Sequence, residues 1–138
     1  MNLLIVDDEY LVVEEVVTVT DWELLGITEI YSATNAVSAV RILNEKKIDI
    51  MICDIEMPQT DGLELSKQAK ENFPDLEIVM LTSHAEFNYV RNALRYGCYD
   101  YLLKPVMEDD IIKVMKNLVT KIERERHQAQ LQEVYGTS

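Results

Sequence analysis

The sequence has little positive charge. Its 138 residues include 13 lysines and arginines against 25 aspartates and glutamates, which gives a formal net charge of −12 at pH 7. Binding to a nucleic acid backbone needs a basic face, and so does adhesion to anionic lipid. The charge balance therefore argues against both functions for this segment.

Long apolar runs and cysteines are also scarce. No apolar run approaches the roughly 20 residues of a membrane span, and the apolar start of the chain is too short for a secretory signal. Cys53 lies near the end of the third predicted strand and Cys98 near the beginning of the fifth, so we interpret both as reduced, buried apolar groups. We therefore expect a cytoplasmic protein that does not bind membranes.

Hydrophobic residues make up 48% of the chain, enough for one domain with a full core. Apolar runs alternate five times with segments of helical spacing, a pattern typical of a parallel sheet with crossover helices. We expect strands near residues 2–6, 28–33, 49–53, 77–81 and 98–103. We expect helices near residues 9–21, 35–46, 63–72, 86–95 and 108–126. The second strand alternates like an edge strand, and the first, third and fourth are the most apolar, which suits the sheet order 2-1-3-4-5.

The first helix is the element whose type is least clear from the residues. Residues 11–19 are rich in β-branched side chains and have strand propensity. We predict a helix because two parallel strands need a crossover of about a dozen residues between them. Pro74 is expected to end the third helix and Asn35 to cap the second. Gly26 and Gly97 fall in the turns that lead into the second and fifth strands.

Chemically active side chains follow the ends of four predicted strands. They are Asp7 and Asp8 after the first strand, Asp54 after the third, Thr82 after the fourth and Lys104 after the fifth. Ligands of an open parallel sheet bind outside the carboxyl ends of the strands. We therefore expect three carboxylates, a hydroxyl and an ammonium group in one small site, a set that suits a divalent cation and a phosphoryl group.

This order of residues resembles the receiver domain of two-component response regulators, over roughly residues 2–122. The matching features are the acidic pair after the first strand, Asp54 with Met57-Pro58 and Asp61-Gly62 after the third, Thr82 after the fourth and Lys104-Pro105 after the fifth. The resemblance implies a flavodoxin-like, doubly wound α/β fold. It also implies a signalling switch that takes a phosphoryl group from a histidine kinase and controls an output domain.

The resemblance also implies a role for each acid. Asp54 is the phosphoacceptor, which forms an aspartyl phosphate. Asp8 and Asp54 bind Mg²⁺ or Mn²⁺ directly, Asp7 acts through water, and Glu56 contributes its backbone carbonyl. A domain of this kind catalyses only its own phosphoryl transfer and dephosphorylation, so we do not expect an enzyme that turns over a separate substrate.

Further positions complete the implied mechanism. Lys104, held by a cis bond to the following proline, neutralises charge on the transferring oxygens. Thr82 donates a hydrogen bond to the phosphoryl group, and Tyr101 enters the space that Thr82 vacates, so the two form the switch. Glu56 and His84 occupy positions that tune the loss of the phosphoryl group. His84 has no partner ligands, so we reject a zinc site.

Simpler interpretations of the same residues stay open at this point. The acidic pair could cap the first helix, the third acid could be an ordinary loop residue, and the lysine and proline could form a turn that ends a strand. Tyr99 and Tyr101 are expected to share one face of the last strand and could be amphipathic edge residues.

Two other functions and a different organisation compete with this interpretation. A metal-dependent phosphatase of the haloacid dehalogenase type also uses an aspartyl nucleophile, but Glu56 and Pro58 fit its motif poorly. A binding module that has lost phosphorylation is opposed by the intact set of acids, threonine and lysine. A receiver that stands alone and acts through protein contacts is the alternative to one attached to an output domain.

The end of the chain is charged and rich in amides. We expect residues 1–122 to form the receiver and residues 123–138 a helical extension or linker toward an output domain. Asp21–Ile27, together with Phe87 and Tyr89, resembles receivers joined to AraC-type helix-turn-helix domains, although the tryptophan in this run could simply pack against a helix end. The resemblance implies a homodimer on phosphorylation, and DNA binding only through the missing C-terminal domain.

Overall fold

A computed structural model of the chain describes residues 1–57, 60–83 and 87–136. One sheet contains five parallel strands: β1 (Asn2–Val6), β2 (Glu29–Ala33), β3 (Ile50–Asp54), β4 (Glu77–Thr82) and β5 (Asp100–Leu103). Their order is β2-β1-β3-β4-β5. The predicted fold class and strand order are therefore confirmed. Beyond β3, Glu56–Met57 pairs antiparallel with Thr60–Asp61.

Among the described residues, five α-helices connect and follow the strands. They are α1 (Tyr10–Thr18), α2 (Ala36–Glu45), α3 (Gly62–Asn72), α4 (Phe87–Arg95) and α5 (Glu108–Val134). The β-branched segment forms a helix, as predicted, because it must cross between two parallel strands. A turn of 3₁₀-helix covers Trp22–Leu25.

Two predicted helix ends are wrong. Helix α1 ends at Thr18 rather than near residue 21, because the chain turns to bury Trp22, whose Nε1 donates a hydrogen bond to the Val16 carbonyl at 3.1 Å. Helix α5 continues to Val134, beyond the predicted end near residue 126, so most of the expected extension of residues 123–138 is helical. The glutamates, arginines and glutamines that follow Ile122 have high helix propensity, so the helix continues through them.

The sheet is covered on both faces, which gives the chain two hydrophobic cores. One contains side chains of α1, α5 and the 3₁₀ turn, and the other contains side chains of α2 and α3. Alternate residues of each central strand point into opposite cores, as Leu3 and Leu4 of β1 do. This burial on both faces explains why these strands are continuous apolar runs rather than alternating ones.

The predicted caps and turns are present. The Asn35 side chain accepts a hydrogen bond from the Ser38 amide at 2.8 Å at the start of α2. Gly26 and Gly97 have φ angles of 88° and 89°, a backbone conformation that favours glycine. Pro74 follows the end of α3.

The predictions for the two cysteines and for Tyr99 and Tyr101 have different outcomes. Cys53 and Cys98 are buried and free. The expectation that Tyr99 and Tyr101 share one face is wrong, because Tyr99 packs against the core of α1 and α5 while Tyr101 packs against the other. Strand β5 begins at Asp100, so Tyr99 precedes the strand and does not follow its alternation of side chains between the two faces. Across the described part of the chain, every helix is too short or too polar to span a bilayer.

Candidate functional site

The carboxyl ends of three central strands bring the predicted site residues together. Asp7 directly follows β1, Asp54 ends β3 and Thr82 ends β4. The register places Asp54 beside Leu81, the neighbour of Thr82. Asp7, Asp54 and Thr82 are almost entirely buried, with exposed fractions of 0%, 2% and 0%. The predicted site residues Asp7, Asp54 and Thr82 therefore lie along one edge of the sheet.

Lys104 reaches the acids from the end of β5. Its Nζ lies 2.8 Å from Asp7 Oδ2 and 3.3 Å from Asp54 Oδ2. Its backbone amide donates a hydrogen bond to the Thr82 carbonyl at 2.8 Å, which joins the ends of β4 and β5. The predicted cis bond between Lys104 and Pro105 is present. The lysine therefore belongs to the acid site as well as to a turn.

The three acids form a compact cluster. One carboxylate oxygen from each of Asp7, Asp8 and Asp54 lies within 4.8 Å of the others. Asp8 is exposed, so the cluster opens to solvent on one side. Glu9, rather than Asp7 or Asp8, occupies the N-cap position of α1, and its side chain forms no capping hydrogen bond. The interpretation of Asp7 and Asp8 as helix caps is therefore wrong.

Backbone amides fix the two buried carboxylates. Asp7 Oδ1 accepts a hydrogen bond from the Glu9 amide at 2.9 Å, and Asp54 Oδ1 accepts one from the Glu56 amide at 3.1 Å. Sequence reasoning missed both donors, because a backbone amide carries no signal of its own in the residue pattern. These bonds leave the second oxygen of each carboxylate directed toward Lys104.

Burial and charge shift the ionisation of the site. The pKa of Asp54 is raised from 3.8 to about 6, first by burial and then by the Asp7 charge, against the lowering effects of the Glu56 amide and Lys104. Burial alone would lower the pKa of Lys104, but contact with Asp7 and Asp54 raises it overall. The ammonium group is therefore charged at neutral pH, and the carboxylates around it repel one another.

The site has the properties of a divalent cation site. The cluster has three carboxylates, and the one ammonium group contacts two of them, so negative charge is in excess. Asp7 Oδ2 is buried, and among the described residues it accepts no hydrogen bond with good geometry; its ion pair with Lys104 is a charge contact. Oxygen donors of this kind are the ligands that Mg²⁺ prefers in proteins. The residues present fit the expected metal.

The remaining predicted positions differ in their exposure to solvent, and some of them lie outside the described residues. Glu56 has an exposed side chain, and Tyr101 is partly buried. His84 and Pro58 lie outside the described residues, and so do the side chains of Phe87 and Tyr89. The tuning role of His84 and the switch role of Tyr101 stay predictions.

Comparisons with known proteins agree with this geometry. The family model of the response regulator receiver domain matches residues 3–116. The chain is 33% identical over 124 residues to the transcriptional regulatory protein YesN of Bacillus subtilis, covering 90% of this chain and 34% of YesN. It is 32% identical over 127 residues to the response regulator SaeR of Staphylococcus aureus, covering 92% of this chain and 54% of SaeR.

Solved structures give the same result. The REC domain of AraT, a response regulator from Geobacillus stearothermophilus, superposes with a TM-score of 0.84 at 30% identity, covering 91% of this chain and 97% of that one. The chain thus spans one third to one half of the length of the two full-length regulators and nearly all of a separate receiver structure.

Proposed function

Because this chain belongs to the family of response regulator receiver domains, the phosphorylation-controlled switches of two-component signalling, we propose that Asp54 is its phosphoacceptor. The observation that carries the proposal is the joint contact of Lys104 with Asp7 and Asp54. It places a fixed positive charge beside a buried carboxylate at the carboxyl edge of the sheet. A phosphoryl group that joins Asp54 there meets a preorganised cation.

Asp7, Asp8 and Asp54 would hold Mg²⁺ or Mn²⁺, with the backbone carbonyl of Glu56 as a further ligand. When bound, the metal would neutralise negative charge on the phosphoryl oxygens. Asp7 and Asp54 are held by backbone amides, so their free oxygens are already oriented. Asp8 is exposed and can adjust its position.

The chemical step is a phosphoryl transfer from a phosphohistidine of a histidine kinase. A carboxylate oxygen of Asp54 forms the new phosphorus–oxygen bond as the phosphorus–nitrogen bond to the donor breaks, and the imidazole of the donor leaves with its electron pair. Lys104 stabilises charge on the transferring oxygens, and its contact with Asp54 places it within reach. Only the domain itself is modified, so it does not turn over a separate substrate.

The switch would run through Thr82 and Tyr101. Thr82 is buried at the end of β4, the strand that pairs with β3 and its terminal residue Asp54. Its hydroxyl would donate a hydrogen bond to the phosphoryl group, and Tyr101 would move into the vacated space. This change would alter the face of α4, β5 and α5, where a cleft of about 310 Å³ runs beside β5. A symmetric homodimer through that face is the expected output.

The partners follow from this role. We propose residues 1–122 as the receiver and residues 123–138 as the extension toward an AraC-type DNA-binding domain, in a cytoplasmic transcription regulator. A transcription regulator is supported by the similarity to the transcriptional regulatory protein YesN, and an AraC-type domain by the resemblance of Asp21–Ile27. The acidic charge of this chain is unsuited to DNA, so DNA binding would belong to the attached domain. The full-length protein should bind promoter DNA more tightly when phosphorylated, whereas this chain alone should not bind it.

Intact mass measurement after incubation with acetyl phosphate and Mg²⁺ tests the proposed function. We expect a phosphoryl adduct on the wild-type chain and none on Asp54→Asn or in the presence of EDTA. Rapid turnover of the phosphodonor would indicate a phosphatase instead, and the absence of any adduct would indicate a binding module without phosphorylation. Equal labelling of Asp54→Asn would refute the assignment of Asp54.

A further inference from the structure

Gly62, the first residue of α3, lies against the main chain of Asp54. A Cβ atom at this position would be 1.9 Å from the Asp54 carbonyl oxygen and 2.9 Å from its carbonyl carbon. Both distances are shorter than any that a real side chain makes. The atoms in the way are backbone atoms, so no rotamer change relieves the conflict. Gly62 does not have a positive φ, so the requirement for glycine is steric.

The backbone that Gly62 touches is held from both sides. The Ile55 amide donates a hydrogen bond to the Leu81 carbonyl of β4 at 2.9 Å, and the Ile55 carbonyl accepts one from the Gly62 amide at 3.2 Å. Ile55 is buried, with 3% exposure, and α3 is anchored in the core by Leu63 and Leu65. Neither the strand end nor the helix can move away without breaking buried contacts.

The same short segment carries the proposed metal and phosphoryl ligands. The Glu56 amide, two residues past Asp54, fixes Asp54 Oδ1 at 3.1 Å, and the Glu56 carbonyl is the proposed backbone ligand of the metal. A displacement of the Asp54–Ile55 peptide would move both groups. Mg²⁺ demands nearly ideal octahedral geometry at about 2.0–2.1 Å, so it tolerates such a shift poorly.

We propose that Gly62 is a positioning residue for phosphoryl acceptance. Because Gly62 has no side chain, the start of α3 can pack directly against the Asp54 backbone, and this contact fixes the positions of the Asp54 carboxylate and the Glu56 carbonyl. This inference rests on the proposed function. It separates Gly62 from the other three glycines, none of whose Cβ positions comes within 3.0 Å of another atom.

The test compares Gly62→Ala with Ala69→Gly. Ala69 is buried in the same helix, so its replacement by glycine weakens α3 without adding an atom beside Asp54. Mg²⁺ affinity is measured by titration calorimetry, and the rate of labelling by acetyl phosphate is measured at saturating Mg²⁺. Both are measured at 10 °C with trimethylamine oxide, which favours the folded state, and circular dichroism reports the folded fraction.

We expect Gly62→Ala to bind Mg²⁺ about tenfold more weakly and to label about 100-fold more slowly at equal folded fraction. Ala69→Gly should stay within about twofold of wild type in both measurements. Wild-type affinity and rate in Gly62→Ala would overturn the inference. Failure of Gly62→Ala to fold would also overturn it, because the glycine would then serve the fold rather than the site. A wild-type chain that neither binds Mg²⁺ nor accepts a phosphoryl group would instead refute the proposed function.

Discussion

Arg126, in the part of α5 that follows the expected receiver residues, forms an ion pair with Asp49. Asp49 directly precedes β3 and is buried, with 7% exposure, so this contact lies at the opposite end of the strand from Asp54. Asp49 also accepts a hydrogen bond from the Asn2 amide at 2.7 Å. In the described part of α5, no side chain beyond Ile122 is buried. The ion pair therefore ties the extension to the body of the domain.

Replacing Arg126 by glutamine should loosen the extension. A polar helical segment of about a dozen residues is only marginally stable without tertiary support. We expect amide hydrogen exchange at residues 124–130 to become about fivefold faster, the effect of an ion pair worth about 1 kcal/mol. Arg124→Gln is the matched control, since Arg124 is exposed on the same helix and forms no ion pair within the described residues. Equal acceleration in both variants would show that Asp49 does not hold the helix.

Replacing Asp54 by asparagine should stabilise the metal-free domain at neutral pH. The folded pKa of Asp54 is about 6 and its ordinary value is 3.8, so folding favours the protonated form. The ionised, buried carboxylate lowers the free energy of unfolding. This destabilisation is absent below about pH 4, grows as the pH rises to about 6 and is complete above that pH. Urea unfolding at pH 7.5 should show Asp54→Asn more stable by about 2 kcal/mol, and at pH 4 the difference should nearly vanish. A constant difference across this range would contradict the shifted pKa.

Mg²⁺ should reverse this order of stability. A ligand that binds only the folded state stabilises it according to its concentration and affinity. We therefore expect about 10 mM Mg²⁺ at pH 7.5 to raise the melting temperature of the wild type in thermal unfolding. The melting temperature of Asp54→Asn should stay nearly unchanged. At pH 5, where Asp54 is mostly protonated, the wild-type increase should be smaller. Ca²⁺, which needs more ligands and longer bonds, serves as the control cation.

Replacing Lys104 by alanine should slow phosphorylation more than it weakens Mg²⁺ binding. The ammonium group contacts Asp7 and Asp54, so its loss removes the fixed charge that stabilises the transferring oxygens. We expect labelling by acetyl phosphate to slow about 100-fold. Mg²⁺ affinity should hold or rise, because the metal no longer competes with the lysine for the carboxylates. Lys116→Ala, at an exposed position of α5, should behave like wild type.

Replacing Thr82 by alanine should separate phosphorylation from output. The carboxylates and Lys104 remain, so the variant should still accept a phosphoryl group. Without the hydroxyl, the proposed rearrangement of Tyr101 lacks its trigger, and sedimentation with beryllofluoride should show less dimer than wild type. Thr82→Ser keeps a hydroxyl and should dimerise normally. If the wild type stays a monomer with beryllofluoride bound, dimerisation is not the output of this segment.

The residue pattern alone determined the sheet and the set of residues at its carboxyl edge. Strands buried on both faces must be continuously apolar, and the need for a crossover between parallel strands identified α1 as a helix despite its β-branched residues. Asp7, Asp54, Thr82 and Lys104 each follow or end such a strand, so their grouping followed from topology.

Tertiary structure decided what the pattern could not encode. Backbone amides that fix Asp7 and Asp54 carry no signature in the sequence, and the end of α1 depended on where Trp22 could be buried. The attachment of the last part of α5 to the domain depended on Arg126 and Asp49, which are distant along the chain. The steric role of Gly62 arises only when α3 meets the end of β3. Local sequence specifies elements, but contacts between distant segments place the groups that act.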